Sequence, residues 1–306
     1  MNNFLFIFIN VILPVFFQIG LGYVIRKKFE IDADALVKIQ IYACTPALLF
    51  ISIYKSNVGG SVALSIISFG LLLFFALFLI SSLIVKLKKY PKTLSKAFVN
   101  SVCFFNGGNF SLPVIKLLYN DPYAISIQVI CIMAQNITFN TIGVYNASSG
   151  KRSTKEALLS ILKIPMGYSI LFAFIFKFFN LKLWTPVYSA LEILGQGMIP
   201  TALLLLGIQL ANTKINFKSV RVYLSNFIRL VMGPIIAYIL TLILGLHGLV
   251  AQVLIIAASA PTAVNTVILA LEFDNEPDFA SQTCFSATVL SSITVTMVIF
   301  LVTRFV

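Results

Sequence analysis

Charged residues are scarce in this sequence, and that scarcity sets the class of protein. Of its 306 residues, 10% are charged and 59% are hydrophobic, and the mean hydropathy is +0.99. A soluble domain needs a polar surface that this composition does not supply, so a soluble fold is excluded. The sequence predicts an all-α, polytopic membrane protein embedded in a lipid bilayer.

Histidine and cysteine are also rare, which argues against a metal site and against an enzyme. The single histidine, His247, stands alone in a Leu-Gly loop. The four cysteines lie in apolar segments at spacings that match no metal motif, and we interpret them as small buried hydrophobes. Serine and threonine are plentiful, but no His, Asp or Glu lies at their depth to activate a nucleophile. We therefore expect no catalytic site, no metal and no cofactor.

The net charge of +12 is explained by membrane topology and not by nucleic acid. The 22 lysines and arginines lie mainly in short segments between apolar runs. If the N-terminus is outside, all but five of them fall at the inner ends of the spans. The five at the outer ends are Lys55, Lys116, Lys177, Lys182 and Arg304. The positive-inside rule therefore predicts a protein of the plasma or inner membrane with both termini extracytoplasmic.

The apolar runs predict ten transmembrane helices. They cover residues 4–25, 35–54, 62–85, 94–119, 124–147, 158–179, 187–211, 220–244, 249–271 and 279–303. None of the connections between them is long enough to hold a soluble domain. Five spans fall within residues 1–147 and five within residues 158–306, and residues 148–157 are a polar linker that we expect to be cytoplasmic.

The fourth span contains an octet, residues 106–113, that disfavours a continuous helix. Its sequence is Asn-Gly-Gly-Asn-Phe-Ser-Leu-Pro. The glycines loosen a helix, Pro113 removes a donor, and the asparagine and serine side chains compete for backbone hydrogen bonds. We expect the helix to unwind at mid-membrane and restart at Pro113 beside a substrate site, since unwound backbone at that depth must be surrounded by protein or water. A simple kink between packed helices is the alternative.

Proline motifs recur in the same order in the two halves of the chain. Pro14 and Pro46 of the first half correspond to Pro165 and Pro200 of the second. The octet corresponds to residues 259–266, Ser-Ala-Pro-Thr-Ala-Val-Asn-Thr, in the ninth span. Because each half has an odd number of spans, the second copy must be inverted. The sequence thus predicts two inverted five-helix repeats whose broken helices 4 and 9 cross, an arrangement typical of the binding site of a secondary transporter.

Neutral polar side chains accompany both breaks. Each broken helix is expected to restart with its N-terminus pointing at the centre, where free N–H groups and the helix dipole attract anions. The candidate substrate-binding residues are Asn106, Asn109, Ser111, Pro113, Gln135, Asn136, Asn140, Pro261, Thr262 and Asn265. Asn136 and Asn140 share one helix face. For any single side chain in this set, a hydrogen bond between helices is the alternative.

The centres of the predicted spans carry no ionisable residue. Lys116, Lys163 and Arg229 are expected near enough to the span ends for their head groups to reach the surface. A proton antiporter would be expected to have central carboxylates, and a Na⁺ site would use Asp or Glu with carbonyls. A neutral site between positive helix ends favours a small organic anion that moves without obligatory ion coupling.

The sequence resembles the auxin efflux carrier family, which includes the plant PIN-formed proteins and bacterial permeases for malate or malonate. The resemblance covers nearly the whole chain, and the octet is its most specific part. The other matching motifs are Thr-Pro-Ala-Leu-Leu-Phe at 45–50, Gln-Asn at 135–136, Ala-Pro-Thr-Ala-Val-Asn at 260–265, Leu-Glu-Phe at 271–273 and Pro-Asp at 277–278.

The resemblance implies a fold, a mechanism and a substrate class. It implies ten helices in two inverted repeats, with a scaffold of helices 1, 2, 6 and 7, a transport domain of the others, elevator motion and a homodimer. It also implies a carboxylate bound beside the crossing of helices 4 and 9. The predicted function is therefore an elevator-type secondary transporter of a small organic anion. The alternatives are a Na⁺- or H⁺-coupled symporter or antiporter resembling bile-acid carriers, and a ligand-gated sensor built on a transporter fold.

Overall fold

The computed structural model describes residues 3–29, 31, 33–56, 58–148, 165–211, 213 and 219–306, and these are almost entirely helical. The helices are α1 (Phe4–Lys28), α2 (Ala33–Lys55), α3 (Gly60–Leu87), α4 (Lys92–Cys103), α5 (Leu112–Tyr119), α6 (Pro122–Ser148), α7 (Pro165–Phe178), α8 (Thr185–Leu210), α9 (Val220–Ile243), α10 (Gly248–Ala258), α11 (Asn265–Glu272) and α12 (Pro277–Phe305). The all-α class predicted from composition is confirmed.

Seven of the described helices are long and apolar enough to cross a membrane, namely α1, α2, α3, α6, α8, α9 and α12. The three other predicted spans do not form a described helix long enough to cross a membrane, for two different reasons. Spans four and nine are interrupted, giving α4 with α5 and α10 with α11. Span six is described only from Pro165, as α7, and residues 149–157 of the predicted linker lie outside the described residues. The multi-pass class is thus established, while the ten-helix inverted repeat stays a prediction.

Four prolines shape the helices in the same way. Each lies two residues after the end of a wide, π-helical turn. The turns are Phe8–Ile12, Gln40–Cys44, Gly107–Ser111 and Ile228–Met232, followed by Pro14, Pro46, Pro113 and Pro234. Proline cannot donate a hydrogen bond, and its ring clashes with the carbonyl four residues earlier, so the wider turn relieves a conflict that would otherwise kink the helix. These turns hold Gln40, Asn109 and Arg229, which recur below.

The helices pack in two groups. In the first, α1 lies along α8, and α2 packs against α7 and α8. In the second, α3 packs against α4, α6 and α9, and α10 packs against α6 and α9. The first group contains the helices that the resemblance assigns to the scaffold, whereas motion between the groups stays a prediction.

Two glycines allow α1 and α8 to approach each other backbone to backbone. A Cβ atom added to Gly22 would lie 2.1 Å from the Leu204 carbonyl oxygen, and one added to Gly207 would lie 1.9 Å from the Ile19 carbonyl oxygen. Both distances are far inside van der Waals contact, so the approach depends on the missing side chains. Small residues at helix interfaces are the usual means of close packing in membranes.

Replacing Gly22 should therefore destabilise the protein. We expect Gly22→Ala to cost about 1–3 kcal/mol through overpacking, seen as a lower midpoint of thermal unfolding in detergent. Gly20→Ala is the matched control on the same helix, because a Cβ atom there meets nothing within 4 Å. Equal midpoints for the two variants would contradict the close packing of α1 on α8.

Candidate functional site

The chain unwinds where α4 and α10 end, and the two unwound segments pair with each other. The N–H of Asn106 donates to the Pro261 carbonyl at 2.7 Å, and the N–H of Ala263 donates to the Phe104 carbonyl at 2.9 Å. The segments run antiparallel as a short extended bridge. A break in the fourth span is therefore confirmed, and a simple kink is excluded, but the non-helical residues are 104–106, so the break lies at the start of the octet and not in its middle. The pairing satisfies backbone groups that could not be left free in a buried position.

The octet returns to helical structure earlier than predicted. The wide turn Gly107–Ser111 follows Asn106 directly, so the expected restart at Pro113 is wrong. Asn106 caps this turn, because its Oδ1 accepts the N–H of Asn109 at 3.1 Å. Pro113 lies at the beginning of α5, where the wide turn removes the conflict between its ring and the preceding carbonyls.

Two hydroxyl groups tie the crossing to the ends of the opposite half-helices. Thr262 Oγ1 donates to the Ser101 carbonyl of α4 at 2.9 Å, and Ser111 Oγ donates to the Ala257 carbonyl of α10 at 3.4 Å. Both carbonyls belong to final helical turns, where acceptors lack a partner within the helix. Thr262 of the second break thus holds the end of α4, and Ser111 of the first break holds the end of α10.

Two glutamines of α6 hold the backbone around the start of the octet. Gln128 Nε2 donates to the Gly107 carbonyl at 3.0 Å, and Gln135 Nε2 donates to the Phe105 carbonyl at 2.6 Å. The two glutamines are two helical turns apart and so share one face of α6. Each leaves its side-chain carbonyl oxygen buried with no hydrogen-bond partner among the described residues.

A third glutamine reaches the octet from α2. Gln40 Nε2 donates to Asn109 Oδ1 at 2.6 Å, and the Oε1 atom of Gln40 is buried without a partner in the described part of the chain. The Nδ2 donor of Asn106 is also buried without a hydrogen-bond partner among the described residues. A buried polar group left unpaired costs about 1–3 kcal/mol. Three amide oxygens and one amide donor around this short stretch are therefore available to a ligand or to water.

A buried arginine contacts the ends of the two half-helices, next to the paired segments 104–106 and 261–263, which are called the crossing here. Arg229 was expected to reach the surface from the end of its span, but its side chain is 0% exposed, and this expectation is wrong. Its Nη1 donates to the Val102 carbonyl at 2.9 Å, and its Nη2 donates to the Ala258 carbonyl at 2.5 Å. The guanidinium carbon lies 5.5 Å from the centroid of the Phe105 ring, within range of a cation–π interaction.

The comparison with known families bears on this architecture. The family model described as "Membrane transport protein" matches residues 7–157 and 151–299, which together span nearly the whole chain. The chain belongs to this family. It is the family of auxin efflux carriers, so the resemblance noted from the sequence motifs is confirmed.

Relatives of this membrane transport protein align over almost their full length. A protein of Methanocaldococcus jannaschii described as an uncharacterized transporter is 23% identical, over 94% of this chain and 96% of the relative. Another from Methanothermobacter thermautotrophicus with the same description is 23% identical, over 92% and 93%. A Rhizobium meliloti protein named "Putative malonate transporter" is 22% identical, over 96% and 95%.

The structure of this membrane transport protein brings most of the predicted site residues together, but not all. Asn106, Asn109, Ser111, Pro113, Gln135, Pro261 and Thr262 lie at the crossing. Asn136 instead donates to Met166 Sδ of α7 at 3.0 Å, and Asn140 donates to the Asn136 carbonyl of its own helix at 2.8 Å. Asn265 begins α11 with an exposed side chain.

Three residues at the crossing were missed by sequence reasoning, namely Gln40, Gln128 and Arg229. Each is a polar residue within a predicted span, and that was the available signal. The seven-residue spacing from Gln128 to Gln135 also placed both on one face of α6. Neither signal shows which face of a helix is turned toward the octet.

Proposed function

We propose that this membrane transport protein is a secondary transporter of a small organic anion, most simply a carboxylate, and not an enzyme. The observation that carries the proposal is the set of unpaired amide groups around the non-helical residues 104–106 and the start of the octet, namely the Nδ2 donor of Asn106 and the Oε1 acceptors of Gln40, Gln128 and Gln135. A buried site with spare hydrogen-bonding groups and freed backbone is suited to bind a polar ligand and release it again.

The electrostatics of the crossing support an anion over a cation. Arg229 is the one charged side chain among the buried residues that the structure describes. The helical segments that begin at Gly107 and Asn265 start beside the crossing, and helix N-termini carry partial positive charge. Positive potential in a site of low dielectric attracts a negatively charged substrate.

The donors near the octet are suited to a carboxylate. Asn106 Nδ2 is buried and unpaired, and Asn109 uses its Oδ1 atom in the contact with Gln40, which leaves its Nδ2 donor for a ligand. A carboxylate accepts several hydrogen bonds at once. The name of the Rhizobium meliloti relative makes malonate the first compound to test.

Malonate is expected to raise the thermal unfolding midpoint of the purified protein. A ligand that binds only the folded state stabilises it by mass action, by about 2.7 kcal/mol at one hundred times its Kd. Malonamide, which has the same skeleton and no charge, is the matched control and should give no shift. A series of mono- and dicarboxylates tests the wider class. If no carboxylate in the series gave a shift above that of malonamide, the proposed substrate class would be wrong.

We further propose an elevator mechanism, in which the second group of helices moves against the first. The Gln40–Asn109 hydrogen bond joins α2 of the first group to the octet, so it must break when the groups slide past each other. The homodimer implied by the resemblance belongs to the same proposal, with the first group as the stationary part. Measuring the mass of the protein in nanodiscs tests the dimer.

A cation-coupled carrier is the second candidate, and one observation favours it. The unpaired side-chain oxygens of Gln40, Gln128 and Gln135 are of the type that alkali and alkaline-earth cations bind. Against it, the buried side chains of the described residues include no Asp or Glu. Uptake of malonate into proteoliposomes decides between the two, because strict dependence on a Na⁺ gradient would favour the coupled carrier.

The proposed topology places both termini outside a cell membrane. Lys89 and Lys182 are exposed residues in two connections that should lie on opposite sides, the first inside and the second outside. In a background without the four native cysteines, we expect an impermeant thiol reagent added to intact cells to label Lys182→Cys. Lys89→Cys should react only after the membrane is opened. The reverse pattern would invert the topology.

A further inference from the structure

A buried arginine inside a membrane protein requires a specific explanation. Removing a charge from water is costly, and such residues persist where their surroundings supply compensating groups. Among the described residues, no buried carboxylate is available to pair with Arg229. Its partners are instead the backbone carbonyls of Val102 and Ala258 and the face of the Phe105 ring.

The two carbonyls belong to the ends of the two half-helices that meet at the crossing. Val102 is the penultimate residue of α4, and Ala258 is the last residue of α10. Carbonyls in a final helical turn have no partner within the helix, and each helix end carries a partial charge of about −0.5. Two such ends together amount to about one negative charge, which the single positive charge of the guanidinium group balances.

The space around the guanidinium group is shaped for it. A Cβ atom added to Gly233, one helical turn further along α9, would lie 2.5 Å from Nη2 of Arg229, so the guanidinium group would have to shift from its present position. The wide turn Ile228–Met232 includes Arg229 itself. The adjoining carbonyls of Ser101 and Ala257 are already satisfied by hydroxyl groups, which leaves those of Val102 and Ala258 to the arginine.

We propose that Arg229 is the built-in counter-cation of the crossing and replaces a coupling cation. It neutralises the carbonyl ends of α4 and α10, and the opposite, positive ends that begin at Gly107 and Asn265 are then free to bind an anion. Arg229 is a positioning residue, since it acts on the substrate through the two half-helices. The inference rests on the proposed anion transport. It predicts that binding of the anion needs no Na⁺ or K⁺.

Chemical rescue tests the counter-cation role without reference to any substrate. Arg229→Ala should lower the thermal midpoint, and guanidinium at millimolar concentration should restore it. Arg221→Ala is the matched control, because Arg221 is an exposed arginine on the same helix. That variant and the wild type should show no gain from guanidinium. If Arg229→Ala were as stable as the control, or were not restored by guanidinium, the proposal would be overturned.

A second pair of variants separates positioning of the site from a purely structural role. Arg229→Lys keeps the charge and should bind malonate with close to wild-type affinity. Arg229→Gln keeps a donor without the charge and should weaken malonate binding on the order of tenfold. Equal affinities in Arg229→Gln and the wild type would overturn the proposal even if stability had fallen. If the wild type itself binds no carboxylate, the proposed function fails, and the guanidinium rescue alone decides the role of Arg229.

Discussion

Asn109→Asp is expected to abolish malonate binding while leaving the fold intact. The new side chain still offers an oxygen to Gln40 Nε2, which donates to Asn109 Oδ1 at 2.6 Å in the wild type. It replaces the Nδ2 donor by a second oxygen of a carboxylate. The loss of a donor to a desolvated partner costs about 1–3 kcal/mol, a factor of roughly 5–150 in affinity. Repulsion between the new charge and the anion adds to that loss.

The measurement is the malonate-dependent shift of the thermal midpoint, followed by uptake in proteoliposomes. Asn109→Ala should give an intermediate loss, since it removes the donor without adding charge. Asn120→Asp is the control, because it adds the same charge at an exposed position at the end of α5, in a backbone conformation that aspartate tolerates. Unchanged malonate affinity in Asn109→Asp would show that the octet does not bind the substrate.

Asn265 remains the predicted partner of Asn109 from the second half of the chain. Its side chain is exposed at the first residue of α11, and the segment that precedes it pairs with residues 104–106 at the start of the octet. Asn265→Ala should weaken malonate binding within the same range of about 1–3 kcal/mol. A loss in Asn109→Ala without one in Asn265→Ala would place the substrate on the octet side of the crossing alone.

The break in the fourth span could be predicted because its causes are local. Adjacent glycines, a proline and side chains that compete for backbone bonds mark a weak point in a helix, although here they lie in the wide turn and α5, and the non-helical residues 104–106 come directly before the glycines. The restart was misplaced at Pro113 because a wide turn can accommodate a proline within a helix, and a proline alone does not show whether such a turn precedes it. The antiparallel pairing of the two breaks is consistent with the predicted crossing, although residues far apart in the chain form it.

The burial of Arg229 could not be predicted from its span. A single arginine near one end of an apolar run normally extends to the surface, and hydropathy does not distinguish that case from burial. The difference lies in the carbonyl ends of α4 and α10, which approach this turn of α9 in the folded chain. The local sequence feature that accompanies this burial is Gly233, because the guanidinium group of Arg229 lies where a side chain at position 233 would begin.

The sequence also could not predict which face of α6 contacts the octet. Asn136 and Asn140 share one face by their four-residue spacing, and Gln128 and Gln135 share another by their seven-residue spacing. Both patterns are polar faces on an apolar helix. The rotation of α6 about its axis decides between them, and packing against α3, α10 and α2 sets that rotation.

A crosslink between Gln40 and Asn109 is expected to stop transport. These residues join α2 to the octet, and an elevator cycle must separate them. Because two long side chains that meet at their tips hold their Cα atoms too far apart for a disulfide, Gln40→Cys with Asn109→Cys would be bridged by a mercuric ion or a short bifunctional thiol reagent. Because Asn109→Cys also removes the Nδ2 donor, the unbridged double variant should show a loss of malonate uptake like that of Asn109→Ala. Its remaining uptake should fall to background when the bridge forms and return to the unbridged value when a thiol removes the bridge.

The control pair for this crosslink lies within one group of helices. Asn146 Nδ2 of α6 donates to Asn100 Oδ1 of α4 at 2.8 Å, so these two amides also meet at their tips. Both helices belong to the group that is proposed to move as a unit, and a bridge between Asn100→Cys and Asn146→Cys should leave uptake unchanged from its value before bridging. Transport that continues with Gln40 and Asn109 bridged would exclude an elevator, because the octet could then no longer move past α2. The substrate would instead have to pass a crossing that stays fixed against α2.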